Sequence, residues 1–176
     1  MVNLYSAFFF VTAISASVLP LGRRDVTTVL DNLETIDTQT KALTTSITSW
    51  DGSLLGALGI ASASNSLGTA IDNANTEAAT EAQLSSADSQ TVLTYVSGTL
   101  TSDVNTALTT LNGRESDVAA LGVQSLVLGQ IQTLQSKTAA YGATLVSITS
   151  ADLQAQAQTQ VDALDAAFDS AVAVYS

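Results

Sequence analysis

Apolar side chains recur at alternating steps of three and four residues from Val26 onward, and this spacing constrains the fold most. The series begins in DVTTVLDNLETIDTQTKAL, residues 25–43, where the intervening positions are mostly Thr, Asp, Asn, Glu, Gln or Lys. Such spacing places one apolar stripe along an amphipathic helix of about seven turns. Asp25 is its expected N-cap, and Gly52 is expected at the C′ position that ends it. The stripe comprises Val26, Val29, Leu33, Ile36, Thr40, Leu43, Ile47 and Trp50.

Four later segments repeat the same period, at residues 53–83, 86–120, 123–148 and from 149 onward. Threonine and valine favour strands, but a helical period sustained in five segments outweighs that preference. No proline follows Pro20, so long helices are not interrupted. The sequence therefore predicts an all-α fold, a single up-and-down bundle of about five long helices, in one domain spanning residues 25–176.

The second segment carries the weakest helical signal. Gly56, Gly59 and Gly68 each cost about 1 kcal/mol relative to alanine in a helix. The run ASASNS, residues 61–66, is also a weak helix former. We expect a frayed or kinked first half and a firm second half, and such a segment could act as a portal to the interior.

Local signals also bound the later helices. We expect the third helix to run through Asn112-Gly113 to about Ala120, with Gly122 as the residue that stops it. The fifth helix follows TSADL, where Thr149 with Asp152 resembles a capping box. These expectations leave only short turns between the helices.

The first residues are typical of a targeting sequence. Residues 4–17 form an apolar run that ends in small residues and is too short to span a bilayer, which predicts a secretory signal peptide at residues 1–17. Residues 18–24 end in Arg23-Arg24, which indicates either a short propeptide removed by a processing protease or a basic juncture that stays uncut. The C-terminal residues lack a GPI signal, so we expect a free, secreted mature protein without a membrane span.

Composition argues against several functions. The formal net charge is −11, and the basic residues after Arg23-Arg24, namely Lys41, Arg114 and Lys137, are scattered, so nucleic acid and anionic membranes are poor partners. The chain has no Cys and no His, and neither a cofactor nor a metal is expected. Asp162, Asp165 and Asp169 could share a proton or bind a hard cation, but each follows an apolar stripe position, which favours solvent-exposed carboxylates. We therefore expect no enzyme.

The interior must consist largely of Leu, Val, Ile, Ala and Thr, because large aromatics are few. Alanine-rich stripes allow the helices either to pack tightly or to stay apart around a long apolar space, which suits an acyl chain. If there is a cavity, the middle of the first stripe should line it opposite the other helices. The residues predicted to contact a ligand are Leu30, Leu33, Ile36, Ile71, Leu100, Ile131, Leu164 and Phe168.

Five stretches of the chain match a known pattern of apolar stripes and turns. They are RRDVTTVLDNLETIDTQTKALTTSITSWDG, AIDNANTEA, LSSADSQTVLTYV, LGVQSLVLGQIQTLQSKTAAYGATLVSITSADL and LDAAFDSAVAVY. Together, and in this order, they resemble the fungal hydrophobic surface-binding protein A family, which includes the cell-wall galactomannoproteins. The likeness covers the whole chain after the signal.

The resemblance implies a secreted fungal protein of the medium or the cell wall. Some members adsorb to hydrophobic surfaces and are thought to recruit secreted hydrolases such as cutinases there, and some related mannoproteins carry five-helix bundles that enclose fatty acids. No catalytic residue belongs to the family, so none carries over. The leading hypothesis is a non-enzymatic protein that binds lipids or fatty acids in a bundle cavity, adsorbs to hydrophobic surfaces, or both.

The alternative hypothesis is a structural one. Serine and threonine replace charged residues on the surface, since only 12% of the chain is charged. A hydroxyl-rich surface on a secreted protein is either a substrate for O-mannosylation or simply a neutral polar surface. N-glycosylation is not expected, because the chain has no N-x-S/T sequon. On this view the protein is an O-mannosylated cell-wall mannoprotein without a specific ligand.

Overall fold

The computed structural model describes residues 26–176, which form five long helices and one short helix without a strand. The predicted all-α bundle is confirmed in this part of the chain, with six helices instead of about five. The predictions for residues 1–25, namely the signal peptide, the propeptide and the Asp25 cap, lie outside the described residues. The helices are α1 (Val26–Thr48), α2 (Leu54–Ala78), α3 (α-helical Ser86–Tyr95, π-helical Val96–Leu100 and α-helical Thr101–Asn112 in one continuous run), α4 (Glu115–Ala120), α5 (Gln124–Ile148) and α6 (Gln154–Tyr175).

Successive long helices run in opposite directions, so the chain passes up and down the bundle. α1 packs against α2, α2 against α5, and α5 against α6, while α3 packs against α1 and α6. One end of the bundle, here called the serine end, holds the connections at residues 79–85 and 149–153. The opposite end, here called the leucine end, holds residues 49–58 and 121–127.

The apolar stripe of α1 faces the interior, as its spacing predicts. Val29, Leu33 and Ile47 have an exposure of 1% or less. Thr40 is equally buried, and its hydroxyl donates to the carbonyl of Ile36 at 2.8 Å. Because its polar atom is satisfied within its own helix, this threonine packs as an apolar residue.

The start of α2 corrects two expectations. α1 ends at Thr48, so Gly52, with φ of 79°, lies in the connection rather than at the C′ position. α2 is one continuous helix from Leu54 onward, so the predicted fraying of its first half is wrong, while the alternative of a kink stays a prediction. A Cβ at Gly56 would lie 2.5 Å from Cδ1 of Trp50, and the missing side chain therefore makes room for the indole. The indole Nε1 donates to the carbonyl of Ser53 at 2.8 Å, and this packing offsets the cost of the glycine.

The end of α3 corrects a third expectation, since the helix stops at Asn112 and α4 is a separate helix. The reason is Arg114, whose guanidinium donates to the carbonyl of Trp50 at 2.7 Å and to that of Thr48 at 3.2 Å. It thereby satisfies carbonyls at the end of α1, which a helix leaves without partners. Gly122 follows α4 with φ of 70°, and its prediction as a stop residue is confirmed.

The connection between α5 and α6 lacks the predicted capping box. The Thr149 hydroxyl donates back to the carbonyl of Leu145 at 2.7 Å, and no side chain caps the start of α6. Asp152 instead accepts a hydrogen bond of 2.7 Å from the hydroxyl of Ser86, at the start of α3. The Asp152 carboxylate, which the local sequence pattern predicted to take part in a helix cap, therefore forms a tertiary hydrogen bond instead.

Hydrogen bonds attach each connection of the serine end to a neighbouring helix. The amide of Leu84 donates to the carbonyl of Ile148 at 2.7 Å. The amide of Ser150 donates to the hydroxyl of Ser89 at 2.9 Å, and Ser89 is fully buried. Because buried amides without partners are costly, these bonds hold the helix ends in one arrangement.

Candidate functional site, an apolar cavity in the bundle

All five long helices line an internal cavity of about 90 Å³. A single water needs about 10–15 Å³, so this space is several waters in size. The walls are mainly leucine, isoleucine and valine side chains, and no charged residue of the described chain borders the cavity. An apolar space of this kind stays dry and favours an apolar ligand over water.

A second cavity of about 70 Å³ lies toward the leucine end. It is bordered by Ala57 and Ile60 of α2 and by Leu126 of α5, among others. Leu43 and Leu134 border both cavities. The two spaces therefore follow one another along the bundle, with these two leucine side chains between them.

The structure places most of the residues that were predicted to contact a ligand around these cavities. Ile131 borders the second cavity, and Leu30 borders neither. Leu30 is partly buried and packs against the core, because it lies about 100° around the helix from the stripe position Val29. For all of the predicted residues, contact with a ligand remains a prediction. Those that border the first cavity are Leu33, Ile36, Ile71, Leu100, Leu164 and Phe168.

Sequence reasoning did not single out the polar groups in the cavity wall. The hydroxyls of Thr40 and Thr149 donate to carbonyls of their own helices. Tyr141 Oη and Gln160 Oε1, in contrast, are buried without a hydrogen-bond partner among the described residues. The burial of Tyr141 follows from its stripe position, but the missing partners depend on which helices pack around it.

Burial raises the pKa of Tyr141, and the negative charge of Glu77 raises it further. The phenol therefore stays protonated at ordinary pH and keeps its hydrogen available as a donor. Glu77 itself accepts a hydrogen bond of 2.9 Å from the amide of Asn32 at the surface. The cavity wall thus contains a neutral donor, and no cation of the described helices borders the cavity with it.

Close packing of α5 and α6 shapes the wall beside Tyr141. A Cβ at Gly142 would lie 2.9 Å from Cγ2 of Val161, which is closer than real side chains approach. The glycine therefore allows the two helices to meet at this level, and both residues border the cavity. Gln160 and Tyr141 are the sequence neighbours of this contact, so they lie at similar depth in the bundle.

The leucine end exposes apolar side chains next to the second cavity. Leu55 is 80% exposed, and Leu54, Leu58 and Leu126 are each more than half exposed. No charged residue occurs at positions 52–71 or 118–136, so both helices at this end are uncharged over most of their length. Among the described helices, α2 is long and apolar enough to cross a membrane by length and composition alone, although here it packs in the bundle.

Comparison with known proteins identifies the family. Residues 26–147 match the family model described as hydrophobic surface binding protein A. The chain belongs to the hydrophobic surface binding protein A family. A comparison with curated protein sequences gave no match.

Solved structures share the fold of this hydrophobic surface binding protein A family member. AfMP4p, crystallised in complex with palmitic acid, is 36% identical with a TM-score of 0.83, over 86% of this chain and 100% of that one. Ligand binding domain 1 of the Penicillium marneffei MP1 protein, complexed with arachidonic acids, is 16% identical with a TM-score of 0.82, over 87% and 99% of the two chains. Ligand binding domain 2, complexed with multiple arachidonic acids, is 14% identical with a TM-score of 0.82, over 88% and 97%.

The carboxylates that sequence reasoning considered as a cation site lie outside the cavity of this family member. Asp162, Asp165 and Asp169 are exposed, as predicted. The amide of Gln135 donates to Asp165 and to Asp169, at 2.8 Å each. Within residues 26–176, no group of three or more acidic side chains is arranged to hold a metal ion.

Proposed function

We propose that this protein is a non-enzymatic lipid-binding protein that encloses the alkyl chain of a fatty acid in its two cavities. The observation that carries the proposal is the aliphatic lining contributed by all five long helices. Side chains around an apolar cavity lack van der Waals contacts on one side, and an alkyl chain in the cavity provides them. Burial of the alkyl chain also contributes about 0.8 kcal/mol for each methylene group removed from water. The palmitic acid complex of AfMP4p, at 36% identity, supports fatty acids as the ligand class.

The arrangement of the two cavities favours a linear ligand. Leu43 and Leu134 lie between them, and a rotamer change in these side chains would join the two spaces. A joined space runs from the level of Tyr141 toward the exposed leucines of α2. Affinity should therefore rise with alkyl-chain length until the joined space is filled.

Two neighbouring positions of α1 provide the test. Leu33 borders the first cavity, whereas Val29, one turn earlier and equally buried, borders neither cavity. Leu33→Trp should fill the cavity, keep most of the stability and abolish uptake of palmitic acid. Val29→Trp should overpack solid core and cost about 1–3 kcal/mol, while the folded protein still binds. Calorimetric titration and thermal unfolding of both variants measure these effects.

Normal palmitic acid binding by Leu33→Trp would contradict the proposal. Leu100→Phe offers a smaller enlargement from the opposite wall, in case tryptophan prevents folding. It should weaken binding of long chains more than binding of short ones. Equal affinities for both chain lengths would count against an enclosed alkyl chain.

Adsorption to hydrophobic surfaces is the second part of the proposed function. It is supported by the family description and by the exposed leucines of the leucine end. Exposed apolar patches of soluble proteins commonly mark interaction sites. The same end borders the second cavity, so a protein resting on an oily surface would have its portal facing the lipid. The adsorbed protein would then recruit secreted hydrolases to the hydrophobic surface.

Secretion and processing belong to the same proposal. Residues 1–17 act as the signal peptide, residues 18–24 are removed with Arg23-Arg24 or remain as a basic juncture, and residues 25–176 form the helical domain in the medium or cell wall. N-terminal sequencing of the extracellular protein should give a first residue between Ser17 and Asp25. An intact Met1 on that protein would contradict the proposal.

An O-mannosylated wall protein is the second candidate. The observation that favours it is the number of exposed serine and threonine hydroxyls, such as those of Thr35 and Thr45, which donate to carbonyls of their own helix and leave the surface uncharged. Heavy mannosylation without lipid binding would support this candidate over a lipid-binding role.

A further inference from the structure

Two polar atoms in the wall of the first cavity have no hydrogen-bond partner among residues 26–176. Tyr141 is 5% exposed, and its hydroxyl is unpaired. The amide nitrogen of Gln160 donates to the carbonyl of Leu93 at 3.3 Å, which leaves its Oε1 unpaired. Buried polar groups without partners are rare in native proteins, and each one calls for an explanation. Here both belong to residues that border the same cavity.

The two residues lie at the same level of the bundle. Tyr141 is seven residues before the end of α5, and Gln160 is six residues after the start of α6, so both are about 10 Å from the serine end. The contact between Gly142 and Val161 brings α5 and α6 together beside them. The polar groups therefore sit toward the serine end of the cavity, and the exposed leucines lie at the opposite end.

The chemistry of this pair selects a particular head group. A tyrosine hydroxyl donates a hydrogen bond, and an amide oxygen only accepts one. The pair therefore complements a group that both accepts and donates, such as a protonated carboxyl group or an alcohol. In the described part of the chain, no lysine or arginine borders the cavity to neutralise an anion. A carboxylate buried there would lose its hydration and gain only the Tyr141 hydroxyl as a donor, while Gln160 Oε1 would face it without a hydrogen to accept.

We propose that Tyr141 and Gln160 bind the head group of a fatty acid in its neutral, protonated form, or the hydroxyl of a fatty alcohol. The Tyr141 hydroxyl donates to the carbonyl oxygen of the acid, and the acid hydroxyl donates to Gln160 Oε1. The alkyl chain then extends toward the leucine end. This inference rests on the proposed function, since it names the head group and orientation of the enclosed lipid.

The surrounding charges support the neutral form. Glu77 of α2 is the acidic group whose charge reaches Tyr141. Lys137 of α5 pairs with Asp72 of α2, and α1, α3 and α6 contribute only uncharged side chains to the cavity wall. A negative charge near the head group disfavours a carboxylate and does not affect an alcohol in the same way.

The pH dependence follows from this preference. A fatty-acid carboxyl is similar to a glutamate side chain, with a pKa of about 4.3 in water. Because the site binds the protonated acid preferentially, the pKa of the carboxyl group is higher in the complex than in water. Affinity is therefore greatest below the pKa of the free acid and falls as pH rises above it. Dodecanoic acid should bind at least about tenfold more weakly at pH 8 than at pH 5, whereas dodecanol should bind equally at both.

The two buried tyrosines of the bundle give a matched pair of variants. Tyr141→Phe removes an unpaired hydroxyl, so it should leave the melting temperature unchanged or higher and weaken dodecanol binding about two- to tenfold. Dodecane, which has no head group, should bind the variant and the wild type equally. Tyr175→Phe removes a hydroxyl that donates to the carbonyl of Leu111 at 2.5 Å, so it should lower the melting temperature and leave dodecanol binding unchanged. Gln160→Met is a second variant, and it should weaken dodecanol binding to a similar extent as Tyr141→Phe.

Titration calorimetry with dodecanoic acid, dodecanol, methyl dodecanoate and dodecane separates the possible outcomes. A flat pH profile for dodecanoic acid, together with unchanged dodecanol binding by Tyr141→Phe and Gln160→Met, would overturn the inference. The head group would then lie in water at the leucine end, and the proposed function would stand. Absence of binding for all four compounds would instead overturn the proposed function itself.

Discussion

The serine end and the leucine end of the bundle differ in how their connections are held. At the serine end, Leu84 is buried and its amide is bonded to α5, while Ser89 holds the amide of Ser150. At the leucine end, Arg114 and Trp50 fix the end of α1, but the first turns of α2 expose three leucines. Buried and bonded connections resist local opening, and exposed segments with few buried contacts open at low cost.

From this difference we expect the two ends to have separate roles in ligand entry. A cavity that must admit a long alkyl chain needs one end that opens and another that keeps the helices in register. The opening is expected between the first turns of α2 and α5, where Ala57 and Leu126 border the second cavity. Three pairs of variants test the contrast between the ends, in order of decreasing effect on the free energy of unfolding.

The largest expected effect comes from truncating a leucine at each end. Leu84→Ala removes a side chain that is 6% exposed and should cost about 2–5 kcal/mol, because contacts are lost and a void forms. Leu55→Ala removes one that is 80% exposed and should change the free energy of unfolding by less than about 0.5 kcal/mol. Urea unfolding measures both. Similar losses at the two sites would show that the ends are equally well packed.

A smaller effect is expected from removing one hydroxyl. Ser89→Ala leaves the buried amide of Ser150 without its acceptor and should cost about 1–3 kcal/mol. At the leucine end, Ser49→Ala removes an exposed hydroxyl that bonds only to carbonyls of α1, and should cost less than about 0.5 kcal/mol. Hydrogen exchange at the amide of Ser150 should speed up in the first variant alone. Unchanged exchange there would remove the argument that the serine end is held by this bond.

The smallest effect on stability belongs to the leucines that we expect to carry adsorption. Replacing Leu54, Leu55 and Leu58 together by serine should leave thermal unfolding almost unchanged, because these side chains are exposed. Adsorption to polystyrene and to wax, measured by depletion from solution, should nevertheless fall severalfold, since the apolar contact area is lost. The control is Thr91→Ser with Thr94→Ser, at exposed positions near the serine end. If the triple variant adsorbs as well as this control, another surface is responsible.

The sequence by itself determined the elements of this fold that depend on neighbouring residues. Apolar residues spaced three and four apart predict amphipathic helices, because one face must be buried. This spacing was enough to predict the buried stripe of α1 and the first and last residues of α5 to within one residue. A glycine that adopts positive φ ends a helix through local backbone geometry, and this identified Gly122. The family pattern is likewise one of stripes and turns, so the residues alone are enough to recognise it.

The tertiary structure decided what depends on contacts between distant segments. α3 ends early because Arg114 binds the carbonyl of Thr48 at the end of α1, and the first turn of α2 accommodates Gly56 because the Trp50 indole packs where that glycine lacks a side chain. Helical spacing shows that a leucine faces inward, but it does not show whether the opposite helix fills the space. For the same reason, Tyr141 was predictable as a buried residue, whereas its unpaired hydroxyl at the cavity depends on the packing of the helices around it.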